Sequence, residues 1–213
     1  MKPKRRPPQK VVNHEKRRKR MVLVFGIFMI FLMVFSVVSV INTSPSGSNR
    51  FDYGDIEFAL ENRPNGGSVL IAELNGQPVE FQNLPTQVGY LEMDPSIIPI
   101  LRTASVVAMT ADPSLELYDL GFIDYIRLQI GVAFGKAYTA MTAENDYNLP
   151  VVTCANASYE QPVLQFNLTN ETAEITESNY CITIHGRDQG LMRAKDRLIF
   201  EYYGILQNGE VIV

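Results

Sequence analysis

The sequence lacks the short motifs that mark the common nucleotide-binding and hydrolytic sites. The segment GRDQG at 186–190 has neither the lysine nor the serine or threonine of a phosphate-binding loop. No G-x-S-x-G pattern is present, so the nucleophilic serine turn of the α/β-hydrolases is not indicated. Paired C-x-x-C motifs are absent as well. The chain therefore carries no established catalytic motif, and we predict no cofactor and no metal site.

Charge is absent from residues 21–41, MVLVFGIFMIFLMVFSVVSVI, a run of twenty-one residues. A helix of that length rises about 31 Å, close to the hydrocarbon thickness of a bilayer. The run is longer than the roughly 7–15 apolar residues of a cleaved signal peptide. It therefore predicts a single transmembrane helix that is retained as a signal anchor, with the lipid bilayer as its partner.

Basic residues are concentrated before this run. Residues 1–20 hold ten of the nineteen Lys and Arg and one acid, a net charge of +9, and the remainder of the chain carries −13. Basic residues next to a span stay in the cytoplasm, which predicts a cytoplasmic N-terminus and a C-terminal domain outside the cell membrane. Five of them are expected to contact anionic lipid headgroups: Lys16, Arg17, Arg18, Lys19 and Arg20. The acidic remainder would repel nucleic acid, so we predict no nucleic-acid partner.

Composition divides the chain into four segments. Residues 1–20 are predicted to be a basic cytoplasmic tail and residues 21–41 the transmembrane helix. Residues 42–50, NTSPSGSNR, are small and polar, which is typical of a flexible linker. Residues 51–213 then form one extracytoplasmic domain, long enough for a single core that buries roughly two-thirds of its surface.

The first part of this domain has the pattern of β-structure. Residues 52–82 alternate apolar and polar side chains, and Asn75-Gly76 between two apolar runs is a strong hairpin signal. We predict an antiparallel meander there. Three further short strands are expected in the last third of the chain, at 163–169, 173–176 and 181–185.

Two segments have the 3.6-residue apolar spacing of helices. The first runs from Leu120 to Ala137 between apolar strand-like segments, an order typical of a crossover unit. Its Gly131 and Gly135 stand four residues apart and are expected to allow a neighbouring element to approach closely. We therefore predict an α+β fold class: one N-terminal transmembrane helix plus a compact outer domain with a mainly antiparallel sheet and two substantial helices.

The second helix is predicted to begin at Asp188, as its cap, and to end at Gly204. Four residues are expected to form its apolar stripe: Leu191, Ala194, Leu198 and Tyr202. Four others are expected to form its solvated side: Arg193, Asp196, Arg197 and Glu201.

Cys154 and Cys181 are the only cysteines, and both lie in the predicted outer domain. Two cysteines in an oxidising compartment usually pair, which predicts a disulfide. Two free thiols are the alternative. In that case a strand over 181–185 would place Cys181 and His185 on one face as a nucleophile and base. With Cys154 they would also offer three zinc ligands, although Cys-x-x-x-His on a strand is not a recognised zinc spacing.

N-linked glycosylation sequons are more frequent than composition alone would give. Four follow the predicted span, beginning at Asn42, Asn156, Asn167 and Asn170. Asn42 stands too close to the membrane to be modified. Glycosylation is therefore predicted at Asn156, Asn167 and Asn170, in agreement with an outer location.

Three segments carry a resemblance: PVVTCANAS at 150–158, NYCITIHG at 179–186 and LMRAKDRLIFEYYGIL at 191–206. The chain resembles a group of uncharacterised single-pass membrane proteins of small-genome archaea, which have a Lys/Arg-rich N-terminus and a two-cysteine outer domain. The resemblance implies a cell-surface setting with archaeal N-glycosylation and supports pairing of the two cysteines. It implies no activity.

Taken together, these patterns favour a membrane-anchored extracytoplasmic module that acts by binding or assembly, with a protein partner in the envelope. An outer-surface enzyme, a hydrolase or thiol-dependent enzyme using Cys154, Cys181 or His185, is the alternative. A subunit of a larger membrane complex is a further alternative, less favoured because residues 21–41 contain few of the small residues of packed transmembrane helices.

Overall fold

A computed structural model describes residues 22–25, 27, 29, 50–53, 56–63, 66–170 and 172–211. The chain forms two units, residues 1–47 and 48–213. The described residues of the first unit are helical and exposed, and no helix in the described part of the chain is long and apolar enough to cross a membrane. The predicted tail, nearly all of the predicted linker and most of the predicted span 21–41 lie outside the described residues.

The second unit is built from eleven described strands and four α-helices. The strands are β1 Arg50–Tyr53, β2 Ile56–Asn62, β3 Ser68–Leu74, β4 Gln77–Phe81, β5 Val107–Ala111, β6 Ala137–Met141, β7 Val163–Leu168, β8 Glu174–Ser178, β9 Cys181–Gly186, β10 Leu206–Gln207 and β11 Glu210–Val211. The helices are α1 Pro85–Val88, α2 Ile97–Thr103, α3 Leu117–Phe134 and α4 Gln189–Tyr202, and a 3-10 turn spans Cys154–Asn156.

The first four strands form one antiparallel sheet in the order β1-β2-β3-β4. The predicted meander is therefore confirmed. Asn75 and Gly76 connect β3 to β4 with positive φ angles of 52° and 72°, the backbone that the Asn-Gly pair adopts most readily. The Asn75 side chain then donates from Nδ2 to the carbonyl oxygen of Ala133, 2.7 Å away, and so caps the end of α3.

The remaining long strands form a second sheet in the order β6-β5-β7-β9-β8. Helix α3 connects β5 to the parallel strand β6, which confirms the predicted crossover unit. Strands β5, β7 and β9 are also parallel, and only β8 runs antiparallel to its neighbour. Counted over all described strands, five pairings are antiparallel and three are parallel, so the α+β class with mainly antiparallel pairing is confirmed. The parallel majority within this second sheet was not predicted.

Helix α4 joins the two sheets into one core. On one side its Phe200 stacks on Phe81 of β4, with ring centroids 4.7 Å apart. On the other side its Leu198 belongs to the same buried cluster as Ile182 and Ile184 of β9. A helix with sheet on two sides has little surface left for solvent, and ten of the fourteen residues of α4 are buried.

Candidate functional site

The two cysteines form a disulfide, with Cα atoms 5.2 Å apart. Cys181 begins β9 and is buried, whereas Cys154 lies in the 3-10 turn and is exposed. The bond ties the connection between β6 and β7 to the face of the second sheet that points away from α4. The predicted disulfide is present, so neither sulfur is a thiolate in this structure. A Cys181–His185 nucleophilic pair or a Cys154–Cys181–His185 zinc site would need that thiolate, and the structure does not supply it.

His185 lies on the same strand face as Cys181, as the alternation predicts. Its Nδ1 is 3.3 Å from the amide nitrogen of Asn167, and its Nε2 is 3.3 Å from the hydroxyl of Thr176. Both partners are neutral, and no hydrogen bond among the described residues links the imidazole to a carboxylate. Across the described residues, no group of three or more His, Cys, Asp and Glu side chains is arranged to hold a metal.

The sequon asparagines Asn156, Asn167 and Asn170 are all exposed. The carboxamide oxygen of Asn156 accepts a hydrogen bond from the Thr153 backbone nitrogen at 2.8 Å. Exposure is a condition for glycosylation, and these three positions meet it. Modification itself stays a prediction.

Most of the charged side chains of α4 lie on its buried side and not on its solvent-exposed side. Lys195 and Asp196 are fully buried, Arg197 is 3% exposed and Glu201 is 8% exposed. The predicted solvated side is therefore wrong for Asp196, Arg197 and Glu201, and right for Arg193. The reason is that the first sheet and the β10–β11 hairpin cover this side of the helix, and charged groups tolerate such burial only when they are paired.

The members of the first buried pair are held by each other and by the loop after β4, and among the described residues Asp196 Oδ1 has the ion pair with Lys195 but no hydrogen bond. Lys195 Nζ lies 2.6 Å from Asp196 Oδ1 and donates to the carbonyl oxygen of Glu80 at 2.6 Å. Asp196 Oδ2 accepts from the backbone nitrogens of Gln82 and Asn83 at 3.0 and 2.9 Å and from Asn83 Nδ2 at 2.7 Å. Burial raises the pKa of the Asp196 carboxyl, while Lys195 and Asn83 oppose that rise. This pair anchors the loop between β4 and α1, which is a structural role.

The second buried pair is only partly satisfied. Arg197 Nη2 lies 2.7 Å from Glu201 Oε1, and the same oxygen accepts from the backbone nitrogen of Gly209 at 3.1 Å. Arg197 Nε and Nη1 are buried and have no hydrogen-bond partner in the described part of the chain. Burial lowers the pKa of the Arg197 guanidinium, against the pull of Glu201. Buried donors without acceptors are costly, which makes this arginine a candidate for ligand contact.

A cavity of about 310 Å³ lies where α2, α4 and the β10–β11 hairpin meet, and Arg197 and Glu201 form part of its wall. We call it the arginine pocket. Arg102 of α2 also lines it and donates from Nη2 to the carbonyl oxygen of Tyr202 at 2.7 Å. The other lining residues are mostly apolar or small: Met93, Pro95, Ile98, Pro99, Gly204, Leu206, Gln207 and Asn208. Two arginines and one glutamate give the pocket a net positive charge beside an apolar wall.

The turn between β9 and α4 has an unusual backbone. Asp188 adopts φ 45° and ψ −115°, a region that side-chain-bearing residues rarely occupy, and its side chain makes no cap hydrogen bond. Gly186 and Gly190 allow this sharp turn, since a Cβ on Gly186 would lie 3.3 Å from the Gly190 carbonyl carbon. Asp188 occupies the predicted cap position, directly before the helix, without forming a side-chain cap hydrogen bond. In the sequence, the signal for this turn is the pair Gly186 and Gly190, which stand two residues before and two residues after Asp188.

Comparison with protein-family models, with characterised proteins and with experimentally determined structures finds no match.

Proposed function

We propose that this protein is a binding or assembly module held at the outer surface of the cell membrane by residues 21–41. The observation that carries the proposal is the Cys154–Cys181 disulfide, because structural disulfides persist outside the cytosol and are rare within it. The exposed sequon asparagines and the basic N-terminal segment support the same orientation.

The arginine pocket supports binding over catalysis. Its charged groups are two guanidinium groups and one carboxylate, and that carboxylate is already held by Arg197 and the Gly209 nitrogen. None of the described lining residues is a cysteine, histidine, serine or threonine. Such a pocket recognises a ligand through charge and apolar contact without supplying a nucleophile.

The orientation is tested by labelling single introduced cysteines in intact cells with a membrane-impermeant maleimide. The two native cysteines are paired and leave no thiol to react. Glu61→Cys, at an exposed position of β2, is expected to be labelled in intact cells. Gln9→Cys, in the basic segment, is expected to be labelled only after permeabilisation. The reverse pattern would overturn the proposal.

The partner is tested by chemical crosslinking in native membranes. An assembly module is expected to yield a reproducible crosslinked protein of the envelope. If the crosslinked species are several integral membrane proteins in fixed ratio, the chain is a subunit of a larger complex. A domain that remains solitary under these conditions would count against an assembly role.

One observation favours a second candidate function, a surface hydrolase. The strained turn at Asp188 follows a parallel strand and precedes a helix, the setting in which hydrolases expose a nucleophile. A carboxylate there would attack a ring carbon of an epoxide and form an ester, while the ring C–O bond breaks and the released alkoxide takes a proton from water. Incubation with a simple epoxide, followed by mass spectrometry, is expected to show an ester on Asp188 in preference to other carboxylates. Equal labelling of Asp188 and the exposed Asp124 would exclude this candidate.

A further inference from the structure

We propose that the arginine pocket binds a small amphiphilic carboxylate, with the carboxylate on Arg197 and the hydrocarbon chain against the apolar wall. The inference rests on the proposed binding function for the view that the pocket holds a ligand. It adds the chemical class of that ligand and the residue that recognises it.

The charge of the ligand follows from the donors that lack acceptors. Arg197 presents Nε and Nη1 without a partner in the described residues, while Glu201 occupies Nη2 alone. A ligand that satisfies these donors brings an acceptor oxygen. Arg102 adds a second positive charge to the pocket, so an anion is preferred over a neutral acceptor. The N–H bonds of Nε and Nη1 point in different directions, so one carboxylate oxygen pairs with one of these two donors and does not bridge both.

The hydrocarbon part of the proposed ligand is inferred from the apolar residues that line the pocket. Met93, Ile98 and Leu206 line the pocket together with Pro95 and Pro99. Burial of a short alkyl chain against these side chains is favourable at about 25 cal/mol per Å². A volume of about 310 Å³ is at the small end for a ligand pocket, which suits one short chain and is too small for a two-chain lipid.

Access to Arg197 requires movement of the β10–β11 hairpin. The guanidinium is 3% exposed, and Leu206, Gln207 and Asn208 of the hairpin form part of the pocket wall. The hairpin pairs only two residues in each strand, and the Gly209 nitrogen attaches it to Glu201 by a single 3.1 Å hydrogen bond. Leu206 is buried in the core, so the part that opens to admit the carboxylate is the exposed tip of the hairpin at Gln207 and Asn208.

The test is calorimetric titration of the full chain in lipid nanodiscs, with empty nanodiscs as the blank. Hexanoate carries both the charge and the chain and is expected to bind. Hexan-1-ol lacks the charge and acetate lacks the chain, so each is expected to bind at least about tenfold more weakly than hexanoate.

Substitutions locate the site. Arg197→Met removes the guanidinium with a similar volume and is expected to weaken hexanoate binding about tenfold or more. Arg193→Met is the matched control, because Arg193 is exposed on the same helix and is expected to leave binding unchanged. Gln207→Trp, at an exposed position of the pocket rim, is expected to block binding without disturbing the core, and so covers the case in which Arg197→Met does not fold.

Three results would overturn the inference. Hexan-1-ol could bind as well as hexanoate, hexanoate affinity could be unchanged in Gln207→Trp, or the folded protein could give no heat with hexanoate. None of these results alters the outcome of cysteine labelling in intact cells. Conversely, inverted labelling with intact hexanoate binding would remove the outer-surface function and leave the pocket and its ligand in place.

Discussion

At the residue scale, the four buried charges of α4 divide into two pairs of different character. Asp196 accepts three hydrogen bonds besides its ion pair with Lys195, so this pair fixes the loop between β4 and α1 to the helix. Arg197 has one acceptor in Glu201 and two donors with none in the described residues. Incomplete pairing of a buried charge is expensive, and a ligand that completes it gains the corresponding free energy.

Asp188 gives the first stability prediction. Its backbone at φ 45° and ψ −115° costs a side-chain-bearing residue on the order of 1 kcal/mol or more. Asp188→Gly is expected to stabilise the domain by about 1 kcal/mol, because glycine has no Cβ and no cap hydrogen bond is lost. Thermal denaturation measures the change. Asp188→Ala keeps the Cβ and is the control, so an equal gain in Asp188→Ala would show that strain is not the cause.

At the scale of the element, α3 is held at its end by a neighbouring turn and not by close packing at its glycines. A Cβ on Gly131 would meet only the Met109 methyl carbon, at an ordinary 3.6 Å. Gly135 follows the last residue of the helix at φ 67°, the left-handed cap position. We expected Gly131 and Gly135 to allow a neighbouring element to approach closely. Neither glycine has that role in the structure.

The two glycines are expected to respond to alanine in opposite directions. Gly131→Ala should stabilise the domain by roughly 0.5–1 kcal/mol, because alanine favours the helix interior and space is available. Gly135→Ala should destabilise it by about 1 kcal/mol, because alanine resists positive φ. Urea denaturation of both variants measures these changes, and losses of similar size in both would contradict this account.

Glu80 links the first sheet to α3 and makes that contact sensitive to pH. Its carboxylate accepts from the Tyr125 hydroxyl at 2.7 Å and pairs with Arg63, and these contacts hold the pKa of Glu80 below its ordinary value of 4.5. Burial and the hydrogen bond to Glu80 raise the pKa of Tyr125 to about 12, so the tyrosine remains a donor. A lowered acid pKa stabilises the fold above the unfolded-state value and loses that effect as pH falls through the folded-state value.

Glu80→Gln is therefore expected to be less stable than the native chain at pH 7, by about 1 kcal/mol. The difference should persist down to about pH 4.5 and shrink below it, as the native carboxyl becomes protonated. Chemical denaturation at a series of pH values measures it. Glu73→Gln, at an exposed position of the adjacent strand β3, is the control. A Glu80→Gln difference that is constant from pH 7 to pH 3 would rule out this origin.

At the scale of the whole molecule, the disulfide attaches the long connection between β6 and β7 to the second sheet. The bond closes a loop with a sequence separation of 27 residues. By the chain-entropy estimate such a loop contributes about 3.5 kcal/mol. It also covers a small cluster formed by Ala108, Ala140, Val152, Val163 and Cys181 on the outer face of that sheet.

Removal of this bond is expected to cost about 3 kcal/mol. Cys154→Ser and Cys181→Ser should each destabilise the domain by nearly that amount, with Cys181→Ser slightly worse because its hydroxyl is buried. The double variant should lose no more than about the larger single loss, since one bond is removed in every case. Additive losses in guanidinium denaturation would mean that the two sulfurs act independently.

Much of the architecture was predictable because it depends on local patterns. Alternation and Asn75-Gly76 predicted the meander, and 3.6-residue spacing predicted α3 and α4. The disulfide was predicted without any geometry, from the presence of two cysteines in a domain expected to lie outside the cytosol. The parallel pairing of the second sheet was less accessible, because strand order depends on contacts between segments that are distant in the chain.

The arginine pocket was not predictable, and the reason is physical. The sequence alone determined that Arg197 and Glu201 lie on the polar side of a helix, since periodicity reports the polarity of each side chain. Only the tertiary structure decided that this side is covered. The loop after β4 contacts α4 across a sequence separation of 114 residues, and the β10–β11 hairpin, although it follows α4 directly, folds back on the helix only because Leu206 is buried in the shared core. Burial converts the charges from solvated surface groups into a paired set, and two Arg197 donors find no acceptor in the part of the chain that the structure describes. The free energy of that arrangement arises from packing between distant segments, which no local pattern encodes.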